Sequence, residues 1–397
     1  MRRTGRYIGL TLLVAAAGCS GRERSHLASA TVDTLPGGIV RVMSPGPTAW
    51  ADTSGWKMTE VLRISGSDGD STVINDPQSL AIDGEGRVYV ADEKPAVIKV
   101  FDKTGRLVRT IGREGAGPGE FQVAFITIHG ANLVVHDPRQ SRTSVFDTSG
   151  TFLKSWNSRC CYYQPIFVDH DGLMYIPGMS PPDSGPTYIR YAMDGATRDT
   201  LYLPKLPDHP ERSWTFGNKN MMMSMGIPLI AEQQLRVNPA GGFLVGMGDH
   251  YEIAETRRGR DTALVFGRTW TATPVSARRR QAIVDSTIKQ VSGSVGEEAA
   301  RNTIKVGDVP SSAPAFTDIA VDGRGYRWVM IDPGEDTTHT WFDVFDTTGV
   351  YLGQVAGPPG LVSWRISWKD DALLAYVEDA DGEPAVVKYE IRRTVTR

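Results

Sequence analysis

Ser79-Leu80-Ala81-Ile82-Asp83, Gly84-Glu85-Gly86, Val88-Tyr89-Val90-Ala91-Asp92, Ile98-Lys99-Val100-Phe101-Asp102, Lys103-Thr104-Gly105 and Leu107-Val108-Arg109-Thr110-Ile111 follow one another with only short joins. Short runs rich in β-branched and aromatic residues, bounded by Gly and Asp, read as strands joined by tight turns. The stretch therefore predicts one four-stranded antiparallel sheet.

The same phrase returns along the chain. A second copy has strands at 125–128, 132–135, 143–147 and 151–156, and its Phe146-Asp147-Thr148-Ser149-Gly150 repeats Phe101-Asp102-Lys103-Thr104-Gly105. A third copy has them at 166–169, 173–176, 188–193 and 200–203. The turn glycines Gly105, Gly150 and Gly195 are 45 positions apart, close to the length of one four-stranded propeller blade. Helical repeats of that length would need apolar residues three and four apart, a spacing these segments lack. A fainter fourth unit spans Leu235 to Phe266, and a fifth runs from Asp318 to Val355 with Phe345-Asp346-Thr347-Thr348-Gly349 at its turn.

The last unit, from Trp364 to Ile391, supplies three strands before the chain ends. Glu60-Val61-Leu62-Arg63-Ile64-Ser65, ahead of the first unit, has the character of the missing fourth. Pairing the two closes the ring and removes the open edges that otherwise invite aggregation. The expectation is an all-β, six-bladed β-propeller of four-stranded antiparallel blades over 56–397. Two stretches fall between blades. Residues 204–225, with Met221-Met222-Met223, read as a loop insertion whose methionines fill core gaps. Residues 274–304 read as a short helical insertion, with Arg278, Arg279 and Arg280 on a solvated face.

At the amino end Arg2, Arg3 and Arg6 precede an apolar run from Tyr7 to Ala17, and no acid appears before Glu23. The run is too short to span a bilayer and predicts a signal peptide over 1–18. Ala16-Ala17-Gly18-Cys19 resembles the lipobox of bacterial prolipoproteins, with Ala16 where Leu is usual. That resemblance implies acylation of Cys19 (diacylglycerol, palmitate), with the protein anchored to the cell envelope and residues 19–55 acting as a flexible tether. Ser20 after the cysteine matches the outer-membrane sorting pattern. Removing the three leader arginines takes the net charge from -3 to -6, which argues against a nucleic-acid partner. Of three cysteines, Cys160 and Cys161 remain. Either a vicinal disulfide, in an oxidising compartment, or two reduced thiols beside Tyr162 and Tyr163 fits them.

Asn75 to Gly112, with Gly115-Ala116-Gly117-Pro118-Gly119-Glu120-Phe121 after it, resembles an NHL repeat. With the lipobox, the chain is similar to six-bladed propeller lipoproteins of bacteria. The resemblance implies fold and location rather than activity, because propellers host unrelated functions.

Asp92, Asp137, Asp249 and Asp332 recur where second strands end. A ring of carboxylates there would hold a cation, whereas acceptance of turn hydrogen bonds explains the recurrence more simply. His136 and His250 adjoin two of them. Enzymes on six-bladed propellers include gluconolactonase-like, strictosidine synthase-like and peptidyl-hydroxyglycine lyase-like proteins. On that likeness Asn75, Glu120, Gln164, Glu232 and Asp318, at or before first strands, are the candidate channel-mouth ligands for a divalent Ca or Zn ion. They do not share one repeat position. Gly115 to Gly119 opens no helix and so makes no phosphate loop. No Gly-x-Ser-x-Gly elbow is present. With no convergent catalytic set, the reading favours a binding scaffold for a small molecule, glycan, peptide or envelope protein, with no cofactor predicted. A metal-dependent hydrolase or lyase is the alternative.

Overall fold

A computed structural model describes residues 30–46, 55–65, 74–158, 165–181, 184–203, 213–218, 221–257, 261–336, 338–361, 366–378 and 384–393. Three strands precede the repeats: β1 (Thr31–Leu35), β2 (Ile39–Ser44) and β3 (Trp56–Ile64). Blade one is β4 (Pro77–Ile82), β5 (Val88–Glu93), β6 (Ala96–Phe101) and β7 (Leu107–Ile111). Blade two is β8 (Phe125–His129), β9 (Asn132–Asp137), β10 (Arg142–Asp147) and β11 (Phe152–Asn157). Blade three is β12 (Phe167–Val168), β13 (Met174–Gly178), β14 (Thr187–Tyr191) and β15 (Thr197–Tyr202). A separate hairpin, β16 (Ser213–Asn218) and β17 (Met221–Gly226), comes before blade four, which is β18 (Gln233–Val237), β19 (Phe243–Met247), β20 (Glu252–Thr256) and β21 (Thr262–Arg268). Helices α1 (Ala277–Val295) and α2 (Glu297–Thr303) lead to blade five, β22 (Asp318–Val321), β23 (Arg327–Ile331), β24 (Thr340–Phe345) and β25 (Tyr351–Gly357). Blade six is β26 (Ile366–Lys369), β27 (Ala372–Glu378) and β28 (Pro384–Arg393), completed by β3.

The fold is an all-β six-bladed propeller, and its ring closes where β3 pairs antiparallel with β28. Local chemistry explains why each blade recurs. In the turn between third and fourth strands, Asp102 Oδ1 accepts from the N–H and hydroxyl of Thr104 and the N–H of Arg106. Asp147 and Asp346 bind Ser149 with Thr151 and Thr348 with Val350 in the same way. The turn glycines meet two demands at once. Gly105, Gly150, Gly195 and Gly349 sit at φ +84°, +93°, +90° and +89°, where a side chain is strained. A Cβ on them would also come within 3.0, 2.9, 2.8 and 2.7 Å of Leu62, Ile111, Trp156 and Phe266. Each of those neighbours lies on the fourth strand of the preceding blade, so the 45-residue glycine spacing marks a repeated contact between blades.

The turn between first and second strands carries a second repeated device. Asp83 and Asp169 accept from the phenols of Tyr89 and Tyr175, each at 3.0 Å, and Asp322 accepts from the indole of Trp328 at 3.1 Å. Those three rings are fully buried. Apolar side chains of adjacent blades interdigitate: Tyr89 and Val100 with Ile126 and Leu133, and Trp328 and Phe342 with Leu373 and Val387. The core therefore lies between blades. Strands alternate in direction, so connections from second to third strand and from blade to blade gather on one face, here the upper. The other turns gather on the lower face.

Two expectations need correction. The segment read as tether contains β1 and β2. Leu35-Pro36-Gly37-Gly38 turns the chain, and β2 runs parallel to β21, making blade four a six-stranded sheet. Val42 is buried among Phe266, Phe345 and Tyr351, and Ser44 Oγ accepts from the Tyr351 N–H at 3.0 Å. Two β-branched runs around a Pro-Gly-Gly turn were a hairpin signal that the polar surroundings masked. The stretch read as a loop over 204–225 contains the β16–β17 hairpin. Met223 and Met225 pack beside Trp214 and Phe216 against Val284, Ile288 and Val291 of α1, as gap-fillers do.

The helical insertion is present as expected. Ser276 caps α1 by accepting from the Arg279 N–H, and its buried residues Val284, Thr287, Ile288 and Val291 fall on one face. Arg279 pairs with Asp332, whose side chain is largely buried, and pins the helix to blade five, whereas Arg278 meets Glu335 on the solvated face.

Candidate functional site

The first strand of every blade, β4, β8, β12, β18, β22 and β26, stands at one end of its sheet. Its inner edge is unpaired, and these six strands line a central cavity of about 1220 Å³. Strand edges present backbone N–H and C=O groups that must find water or a ligand. The channel wall is therefore polar along its length even where its side chains are not.

Inside it, Arg236 of β18 forms an ion pair with Asp318 of β22, across the join of blades four and five. Asp318 is almost fully buried, and that burial pushes its carboxyl above the usual range against the pull of Arg236. The Ile319 N–H donates to the same carboxylate at 2.7 Å. Tyr188 lies on the wall with its ring 5.0 Å from Phe243, and burial raises its phenol. Trp368 of β26 stacks at 4.8 Å on Trp328. Among the described residues, Trp368 Nε1 and Thr187 Oγ1 are buried polar atoms without a hydrogen-bond partner, and both residues line the cavity.

Of the five residues read as channel-mouth ligands, only Asp318 lines this cavity among the described residues. Gln164 lies outside them, as do Cys19, Cys160 and Cys161. Asn75 is spent on a corner of blade one, donating from N to Asp92 at 3.1 Å and from Nδ2 to the Lys94 carbonyl at 2.7 Å. Glu120 clasps the blade connector: it accepts from the Gly117 N–H at 2.7 Å and from Arg113 at 2.8 Å, which together hold its carboxyl below the usual range. Glu232 lines a smaller cavity of about 210 Å³ beside Ile227 and Phe316. Of the four described candidates, three are thus engaged at a corner, a connector or a separate cavity.

The recurring aspartates serve turns. Asp92 accepts from the N–H groups of Asn75 and Asp76 and pairs at 3.0 Å with the buried Lys99. Asp137 accepts from Gln122, Arg139 and Gln140, and Asp332 from Gly334 and Arg279. Asp249 bonds its neighbour His250. His136 is buried with Nδ1 at 3.2 Å from both Thr143 and Ser158, and burial lowers its imidazole to about 4. Among the described residues no group of three or more His, Cys, Asp or Glu is placed to hold a metal ion. None of their helices is long and apolar enough to cross a membrane.

The residues missed by sequence reasoning are Arg236, Tyr188, Thr187 and Trp368. Arg236 alone carried a signal, as a cation between Leu235 and Val237 in a strand of the fourth unit.

Fold and cavity define the chain as a six-bladed propeller with an open axial channel. A family model described as a 6-bladed beta-propeller matches residues 67–191. Among solved structures, a member of the DUF4221 family from Bacteroides vulgatus is similar at 11% identity, covering 86% of this chain and 100% of that one, with a TM-score of 0.50. Virginiamycin B lyase from Staphylococcus aureus aligns at 9% identity over 84% of this chain and 99% of that one, TM-score 0.41. The PQQ-bound aldose sugar dehydrogenase of Streptomyces coelicolor aligns at 13% over 87% and 100%, TM-score 0.42. At such identities the likeness is one of fold alone. No curated protein matches the chain in sequence.

Proposed function

We propose that this protein is an exported, lipid-anchored propeller whose central channel binds a small molecule, glycan or peptide without transforming it. The observation that supports binding is the channel itself: it is large, lined by all six blades, and walled by unpaired strand edges, a neutralised Arg236–Asp318 pair and the rings of Tyr188 and Trp368. Cavities of about 300–1,000 Å³ with a few convergent polar groups suit drug-sized ligands, and this one exceeds that range. The Arg236–Asp318 pair, the strand edges and the rings of Tyr188 and Trp368 suit a ligand bearing hydroxyls or amides, and Lys369, Asp370 and His170 line the same cavity where a charged group of the ligand would meet them. Export and anchoring rest on Arg2 to Cys19.

The first experiment purifies the full chain without chelator, measures its metal content, and identifies by mass spectrometry the molecules released on denaturation. Ligand retained by the native chain and lost from the double variant Arg236→Met with Asp318→Asn, which leaves no buried charge unpaired and whose fold is checked by circular dichroism, is the expected result. Metal-dependent turnover of lactones or esters would overturn the scaffold reading in favour of a hydrolase or lyase.

A further inference from the structure

The amino-terminal hairpin determines where a tether leaves the propeller. β2 runs parallel to β21, a fourth strand that climbs from the lower to the upper face, so Ser44 ends at the top beside Thr269, whose N–H it accepts at 2.9 Å. β1 runs antiparallel to β2, which places Thr31 level with Met43 at the same upper rim. Ala30 packs there on the apolar cluster that also holds Trp270, at the root of the helical insertion. The chain therefore reaches blade four from above its outer corner.

Cys19 stands eleven positions before Ala30. A spacer of eleven residues with coil statistics would have a root-mean-square reach of about 18 Å, and any spacer of that length has a fully extended limit of about 38 Å. A blade strand of this length is about 20 Å tall. An acyl anchor at Cys19 would thus reach a bilayer above the upper face with a relaxed chain. A bilayer below the lower face would demand a chain stretched past that relaxed reach, to about half its extended limit, merely to run the height of the blade.

The surface agrees independently. The two most exposed large apolar side chains among the described residues are Met179, 78% exposed, and Met222, 74% exposed. Met179 follows β13 in a second-to-third strand connection, and Met222 belongs to the β16–β17 hairpin inserted between blades, so both belong to the upper face. Unbranched thioethers suit insertion at the boundary of headgroups and acyl chains.

We propose that the upper face, with the β16–β17 hairpin and the Met179 loop, rests on the bilayer, and that ligands enter the channel through the lower mouth, near His170 and Lys369. This orientation rests on the proposed acylation of Cys19. The test is hydroxyl-radical footprinting of the acylated chain on phosphatidylethanolamine–phosphatidylglycerol vesicles, compared with the unacylated Cys19→Ala chain produced without residues 1–18 and kept in solution. Intact mass is read first to establish the acyl group. Met179 and Met222 should oxidise severalfold more slowly on vesicles, while His170 on the lower face and the exposed Leu153 on the rim keep their rates. A chain without an acyl group would remove the anchor and the orientation together. An acylated chain whose methionines oxidise at the soluble rate, or whose His170 is protected instead, would leave the anchor standing and overturn the orientation alone.

Discussion

The join of blades four and five adds buried ions to the turn contact by which blade two docks on blade one: Gly349 meets Phe266 there as Gly150 meets Ile111. Blade two docks on its neighbour through a turn: Asp147 orders the loop, and Gly150 brings it against Ile111 of blade one. At the four–five join, buried ions carry much of the contact. Asp343 is held by Arg268 at 2.7 Å and by the phenols of Tyr251 and Tyr351. Arg268 also lies 4.5 Å over the Tyr251 ring, and Glu255 joins Arg327 to Asn238. The added β1–β2 hairpin strengthens the same region from outside through Val42, Ser44 and the Arg41–Glu252 pair. The turn contact is legible in the sequence because it is short-range, whereas the ion pairs added to it join partners dozens of residues apart.

Breaking the ionic join should give the largest effect. Asp343→Ala leaves the Arg268 guanidinium buried without its carboxylate, and loss of one member of a buried pair costs about 3–5 kcal/mol. The urea midpoint should fall accordingly, and a fall no larger than that of a surface substitution would show that the join depends on its apolar contacts. A Leu or Met pair at 268 and 343 should recover much of the loss, because apolar residues of similar volume replace buried ions with little penalty.

Blade two contains an acid-sensitive point, His136. Its imidazole is lowered to about 4 by burial, whereas the unfolded chain titrates near 6.5. Between those values the unfolded state binds the extra proton, so the stability contributed by the neutral ring is fully present above 6.5 and is lost as pH falls towards 4. The whole span amounts to about 3 kcal/mol. Denaturant midpoints measured from pH 7 to pH 4 should show this slope and show it flattened in His136→Gln. An unchanged slope would place the acid sensitivity elsewhere.

The turn glycines sharpen the comparison at the smallest scale. Gly150→Ala combines a left-handed backbone with a contact at 2.9 Å and should cost about 2 kcal/mol. Gly37→Ala, at φ +84° with nothing within 4 Å of the new atom, should cost about 1 kcal/mol. Equal melting shifts for the two would mean that backbone strain alone accounts for the conserved spacing of the blade turns within this chain.

How legible the molecule was depended on the range of each interaction. The blades and the closing strand were readable because Asp102, Asp147 and Asp346 bind groups two and four residues away, and because such turns need glycine where they occur. The methionine hairpin was misread because Met221 to Met225 has no turn signature of its own, and Met223 and Met225 find their apolar partners in Trp214, Phe216 and α1. The residues proposed for the channel mouth were chosen by their place in the repeat, and Asn75 and Glu120 proved to serve corners and connectors.

From the sequence alone came the number of blades and their strand order, which follow from turn chemistry and strand pattern within about 45 residues, and the means of ring closure, which follows from counting strands: the last unit lacks one and β3 is left over. Tertiary structure alone decided that Arg236 meets Asp318 in the channel, that Trp368 and Thr187 line its wall, and that the amino-terminal hairpin joins blade four at its upper rim. Those arrangements depend on how six sheets pack around an axis and how far each connector carries the next strand. No window of sequence contains both partners of such a contact.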